Sequence, residues 1–354
     1  MPESLNQMRM KSEKAVSEVG VSPPPVQRLL IPPVSWPPTL VVVVDTEEEF
    51  DWSAPFDPAS IAVTNIELQP LAQEVLDAHR VVPTYVVDYP VASTPASIEV
   101  LRTFLAAGRC EIGAHLHPWV NPPTEGPIDV RHSYPGNLPA DIERRKLILL
   151  TDAITRNFNL RPRVYKAGRY GIGSATPATL RELSYAVDVS VVPHTDFSSD
   201  GGPRFVNMPD SPFLIDDQLC EIPLSVHFVG WLARFGPCLF PYLNEGAGRW
   251  LRLTGLCGRL GLLERLRLSP EGHSLNDLIR QTRAAMATGT RLFMLTYHSS
   301  SLLPRATAYV RTEADRIAFL ATLDGYLRFF LDEMGGRTDT VTRIAAALAP
   351  GNVA

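Results

Sequence analysis

The sequence predicts an α/β chain folded as a single distorted (β/α) barrel of about seven parallel strands. Two observations carry this expectation. Short β-branched runs alternate with longer amphipathic stretches from residue 39 onward, and such alternation gives parallel strands joined by crossover helices. The first run, Thr39-Leu40-Val41-Val42-Val43-Val44, is apolar at nearly every position instead of at alternate ones, as in a strand covered on both faces. A chain of 354 residues is long enough for one large barrel, and no internal repeat or linker follows residue 38. Residues 37–349 are therefore expected to form the barrel. Residues 1–36, with Pro23-Pro24-Pro25 and Pro32-Pro33, are expected to form a flexible Pro-rich arm.

The elements follow in order. After the opening strand, helical spacing at Ile66–His79 leads to a strand at Val82–Val87, and a helix at Ala96–Ala107 leads to a strand at Cys110–His115. A charged helix at Ala140–Phe158 leads to a strand at Arg163–Ala167, and a short helix at Pro177–Leu183 to a strand near Val187–Val192. Another strand is expected at Cys220–His227, then helices around Trp250–Leu266 and Ser274–Ala287. The strong apolar run Leu292–Tyr297, a helix at Thr312–Met334 and an amphipathic piece at Val341–Leu348 close the chain.

Composition excludes several classes. Hydrophobic residues at 45% and charged residues at 20% are ordinary for a globular protein, and a net charge of −5 advertises no nucleic-acid partner. The arginines between 249 and 267 read as the solvated side of an amphipathic helix. Cys110, Cys220, Cys238 and Cys257 form no CxxC pair, which argues against a zinc ribbon or redox motif and suits a reducing compartment. Charged residues interrupt every apolar run near the N-terminus, and Leu29–Val44 is too short and too Pro-broken to span a bilayer. A cytoplasmic protein without membrane insertion is the expectation; the oligomeric state is open. GxSxG, HExxH and Walker A patterns are missing.

In such barrels the reactive groups gather at the carboxyl ends of strands. The first strand runs into Asp45-Thr46-Glu47-Glu48-Glu49, and on an extended backbone Asp45 and Glu47 point to one side. Two carboxylates facing one cavity repel unless a cation sits between them or one is protonated. The third strand delivers His115 and His117, whose i, i+2 spacing lets both imidazoles chelate one metal. Histidine and carboxylate donors suit a divalent ion, zinc first, with cobalt, nickel, manganese or iron also possible. Arg169 follows the fourth strand in Ala167-Gly168-Arg169-Tyr170, where the turn could present it inward. His298 ends the last strong strand, placed to protonate a leaving group. Of the other histidines, His227 is the one that could reach the site. Trp52, Tyr89, Trp119 and Tyr170 could stack on sugar rings at the mouth.

In this order the strand-end pieces resemble the polysaccharide deacetylase (NodB-homology, carbohydrate esterase) family, as a divergent member. The resemblance spans roughly residues 39 to 335. It implies a metal-dependent hydrolase removing an acetyl or similar group from an N- or O-acylated sugar or polysaccharide precursor, with a carbohydrate as substrate. It implies Asp45 as general base, Glu47 and His115 as metal ligands, Arg169 as the residue steadying a catalytic carboxyl and His298 as general acid. Asp188 and Glu221-Ile222-Pro223-Leu224 look like two further family segments. The family's second metal histidine falls at Trp119 here, so His117 is substituted on geometric grounds, and Glu48 remains an alternative to Glu47. The same machinery would serve a deacylase of a small non-sugar amide, and an inactive barrel binding glycan or partner proteins is the alternative outside catalysis.

Overall fold

Thr39–Thr46 forms β1, buried at all eight positions, because it is an inner strand of a sheet covered on both faces. The computed structural model describes residues 22–51, 54–124 and 128–349. The remaining strands are β2 (Thr84–Val87), β3 (Glu111–Leu116), β4 (Val164–Ala167), β5 (Val187–Asp188), β6 (Phe213–Leu214), β7 (Cys220–Glu221), β8 (Val226–Val229), β9 (Glu264–Arg267), β10 (Leu292–His298) and β11 (Arg337–Thr338). Seven of them lie parallel in the order β10-β1-β2-β3-β4-β5-β7. This is the mixed α/β, mostly parallel barrel architecture anticipated from the β–α alternation, with the sheet curled into a half-barrel. β6 adds antiparallel to β7, and β11 adds parallel to the start of β1.

The crossover helices fall close to the expected spans, at Gln69–Ala78, Pro95–Ala106, Ala140–Phe158, Thr176–Glu182, Leu275–Ala287 and Glu313–Arg328. Ser274 with Asp277, and Thr312 with Asp315, close reciprocal caps at the N-termini of the helices that flank β10. No described helix is long and apolar enough to cross a membrane.

The structure corrects the sequence reading between residues 220 and 267. The strand expected at Cys220–His227 leaves the main sheet after Glu221, where Pro223 has no N–H to continue the ladder. Its second half, β8, pairs antiparallel with β9 in a separate ribbon. The helix expected around Trp250–Leu266 is three short helices, Gly236–Asn244, Gly246–Trp250 and Leu253–Arg259. The last is followed by Gly261 at φ 66°, a left-handed residue at which the chain turns into β9. Arg265-Leu266-Arg267-Leu268 alternates with period two and belongs to a strand and its end, so these arginines do not lie on a helix face.

The main sheet does not close on itself by strand pairing. The base of the ribbon fills the gap between β7 and β10. Thr296 N–H donates to Leu268 O at 3.1 Å, and Leu268 N–H to Ser225 O at 2.9 Å. Met294 N–H donates to Ser225 Oγ at 2.8 Å. Of residues 22–36, part of the expected arm, Leu29 and Leu30 lie alongside β6, Leu30 N–H donating to Pro212 O at 2.7 Å, and Leu29, Leu30 and Trp36 pack on the core. Residues 1–21 lie outside the described residues.

Candidate active site

β1, β3 and β10 end at one mouth, and the register sets Asp45 opposite His298 and His115 opposite Lys166. Asp45 and Glu47 share a face, as their spacing requires. His115 is the fifth residue of β3, and His117 lies one residue past its end.

Three donors converge. Glu47 Oε2 lies 3.7 Å from His115 Nε2 and 3.5 Å from His117 Nε2, with all three side chains buried. This oxygen has no hydrogen-bond partner among the described residues, a costly state for a buried carboxylate unless something binds it. His115 Nδ1 sits 3.0 Å from Lys166 O. A carbonyl only accepts, so Nδ1 carries the proton and Nε2 offers its lone pair to the cluster. His117 Nδ1 faces Glu48 Oε2 at 2.8 Å, and Glu48 Oε1 accepts from Trp119 Nε1 at 2.6 Å. Trp119 also stacks on His117, centroids 4.3 Å apart. Burial lowers the His117 imidazole below its ordinary range, keeping it neutral as a ligand must be. Burial would raise the Glu47 carboxyl, but His298, then His115 and His117, hold it below its usual value. The donor set, its orientation and the orphaned oxygen fit a divalent cation held by Glu47, His115 and His117.

Glu48 lies behind this trio. With Asp88 and His117 it forms a second group of clustered donors, but hydrogen bonds occupy them. Glu48 N–H donates to Asp88 Oδ2 at 2.7 Å, and Val91 N–H to Asp88 Oδ1 at 2.8 Å. Burial pushes Glu48 up to about 7 and Asp88 well above its ordinary value. Glu48 thus supports the outer nitrogen of His117, while Glu47 faces the inner ones.

Two further assemblies flank the trio. Lys166 Nζ, fully buried, donates to both oxygens of Asp45 at 2.6 and 2.7 Å. Burial would raise Asp45, but Lys166, then His115 and His298, hold it at about 2. On the other side, His298 Nδ1 lies 2.9 Å from Glu271 Oε2, and its Nε2 lies 3.5 Å from Asp45. Burial alone would lower the imidazole, yet Glu271, Glu47 and Asp45 raise it to about 9. Glu271 also accepts from His298 N–H at 2.9 Å and from Ser301 Oγ at 2.5 Å, and it pairs with Arg267 at 3.7 Å. At neutral pH Asp45 is ionised and His298 carries a proton.

Arg169 is placed differently from the expectation. Gly168 passes so close to β3 that a Cβ would meet Leu116 O at 2.4 Å and His117 Cδ2 at 2.6 Å. Arg169 and Tyr170 follow with φ 50° and 61°, a left-handed turn that swings Arg169 away from Asp45. It donates to Ser133 Oγ at 2.5 Å, pairs with Asp200 at 3.3 Å and lies over the Tyr134 ring at 4.2 Å. Lys166 has the contact expected of Arg169. A lone lysine inside the short strand Val164–Ala167 was the available signal.

The sequence reading also missed Glu271, on a loop without a motif, and Arg267, read as part of a helix. His227 is away from the trio, 3.5 Å from Asp210. Asp188 and Glu221 are neighbouring buried carboxyls on β5 and β7, both raised by burial. They support the loop beyond β5, where Val191 N–H donates to Glu221 at 2.9 Å and Ser190 Oγ to Asp188 at 2.5 Å.

The mouth opens into a cleft of about 1340 Å³ lined by Phe50, Tyr134, Tyr170, Phe197 and Tyr309, with Arg267 and His298 at its base and Arg169 on its wall. Of the expected aromatics, Tyr170 lines it, Trp119 is fully buried behind His117, Tyr89 packs against the core, and Trp52 lies outside the described residues.

No family model and no curated protein matches the chain. Among solved structures it is similar to a putative polysaccharide deacetylase from Mycobacterium smegmatis, at 17% identity and a TM-score of 0.54, over 94% of this chain and 95% of that one. It is also similar to Puue allantoinase, at 15% identity and a TM-score of 0.51, over 94% and 96% of the two chains. At these identities the likeness is one of fold, and the chain shares that fold along nearly its whole length.

Proposed function

We propose that this chain is a metal-dependent hydrolase that removes an acyl group from an N- or O-acylated sugar. The observation that carries the reading is the convergence of Glu47 Oε2 with His115 Nε2 and His117 Nε2, flanked by an ionised carboxylate at Asp45 and a protonated imidazole at His298. Glu47, His115 and His117 would hold the ion. When bound, a divalent cation supplies Lewis-acid polarisation of an acyl carbonyl and makes water more acidic.

The chain's own groups divide the proton work. Asp45 is ionised throughout the neutral range, and Lys166 fixes both its oxygens, leaving it a positioned proton acceptor of low basicity. His298 holds its proton through Glu271 and is placed to donate it to the departing oxygen or nitrogen. Arg267, bonded to Tyr170 Oη at 2.7 Å and paired with Glu271, keeps that assembly in place. Tyr170, Phe197 and Tyr134 give the cleft flat apolar faces of the kind that stack on sugar rings. The likeness of fold to a putative polysaccharide deacetylase supports the substrate class.

Deacylation of a small non-sugar amide would use the same groups, and the likeness to an allantoinase favours it. The cleft volume of about 1340 Å³ exceeds the roughly 300–1,000 Å³ usual for small-molecule sites, which favours an extended substrate. Elemental analysis combined with an acetate-release screen over acetylated oligosaccharides and sugar nucleotides tests the proposal. Near-stoichiometric metal, lost in His115→Ala together with acetate release, is the expected outcome. Absence of both metal and acetate would leave a binding barrel.

A further inference from the structure

The chain between β8 and β9 is an excursion of three short helices on the tip of a two-stranded ribbon. Its ends are fastened together, with Trp231 N–H donating to Gly261 O at 3.1 Å and Leu232 N–H to Leu262 O at 2.8 Å. Its surface differs from that of the rest of the molecule. Of seventeen exposed large apolar side chains in the described residues, nine fall between 231 and 260. Trp231, Trp250 and Tyr242 are 90%, 82% and 81% exposed, and Phe235, Leu256 and Leu260 accompany them. A water-facing monomer rarely concentrates its apolar surface in this way without an occupant.

The charge says which occupant. Residues 230–262 contain four arginines and one glutamate in a chain of net charge −5. Arg234, Arg252 and Arg259 are exposed and have no acidic partner among the described residues. The single acid, Glu245, reaches back to Arg204 at 3.9 Å. A second copy of the chain would set this basic face against itself. Tryptophan and tyrosine among leucines, with arginines interspersed, match the headgroup zone of a bilayer, where amphipathic rings settle and cations meet anionic lipids. The apolar groups also sit on separate short helices instead of lining one groove, and a lipid surface requires no matching shape.

We propose that the excursion at 230–262 docks peripherally on an anionic lipid bilayer, its aromatic and leucine side chains entering the headgroup region. The ribbon that carries it ends at Arg267 in the base of the cleft. At roughly 3.3 Å per residue, its four paired positions set the docking surface about 10 Å beyond that arginine. The cleft is thereby held near the membrane. Docking stands apart from the proposed chemistry, because its test reads binding alone.

The full chain is sedimented with vesicles of phosphatidylcholine, with and without phosphatidylglycerol. The expected result is pelleting with the anionic vesicles, weakened by high salt, together with a blue shift of tryptophan emission. Trp231→Ser/Trp250→Ser should weaken partitioning roughly ten-fold or more per tryptophan. Arg234→Gln/Arg252→Gln/Arg259→Gln should weaken it about five-fold per arginine. Both variants should keep the wild-type circular dichroism, since every altered side chain is exposed. No pelleting with anionic vesicles, equal pelleting with neutral ones, or undiminished binding by the tryptophan variant would overturn the proposal. So would a soluble dimer that the tryptophan variant abolishes.

Discussion

Replacing Lys166 with methionine keeps most of the side chain's length and removes its charge from a buried pair. Both partners are essentially excluded from solvent, and Lys166 Nζ is bonded to both Asp45 oxygens at 2.6 and 2.7 Å. Breaking a buried ion pair from one side costs about 3–5 kcal/mol. His298, 3.5 Å from Asp45, remains as a cation and draws the expected loss to the lower end, about 3 kcal/mol. A second route gives a similar figure. Asp45 is held at about 2 against an ordinary 3.8, and at about 1.4 kcal/mol per pK unit the difference is worth roughly 2.5 kcal/mol. Because the folded state depresses this pKa, the stabilisation is present above 3.8 and lost as pH falls through 2. Urea unfolding of wild type and Lys166→Met should therefore show a gap of about 3 kcal/mol at neutral pH that narrows below pH ~4. A neutral-pH gap under about 1 kcal/mol, or one that does not narrow in acid, would refute the assignment of Lys166 as the partner that holds Asp45 ionised.

Three other outcomes follow from the same geometry. Glu271→Gln removes the anion that most raises His298, so the imidazole should titrate below about 9, and an NMR titration of the His298 ring reads the change. Glu48→Gln leaves only one acceptor where Trp119 Nε1 and His117 Nδ1 now need two; the amide would favour the opposite His117 tautomer, and metal affinity measured by competition with a chelator should fall about 10–100-fold. Ser225→Ala leaves the Met294 N–H without its acceptor, and denaturant unfolding should show a loss of about 1–3 kcal/mol.

The site was legible where a polar residue ends an apolar strand. Asp45, His115 and His298 each break such a run, and side-chain alternation then carries Glu47 and His117 to the same side. The reading failed where the decisive contact is made from elsewhere in the chain. Lys166 and Arg169 are three residues apart, and only the tight approach of Gly168 to Leu116 O decides which of them reaches Asp45. Glu271 follows Ser269-Pro270 on a loop, and nothing in its neighbours marks it. β9 was missed because the arginines at 249, 252 and 259 are spaced as on one helix face and the same helix was carried on toward Leu266, over the short period-two run that follows. The pairing with β8 selects the ribbon, and pairing is non-local.

The way the half-barrel is fastened between β7 and β10 bears on the chemistry. All six junctions from β10 around to β7 are ladders of two to seven paired residues, whereas this closing place is a clasp made by Ser225 and Leu268. Leu268 adjoins Arg267, which pairs with Glu271, the partner of the His298 imidazole. The closing clasp and the support of the acid are thus neighbours along one stretch of chain, and a local opening at the first would reach the second.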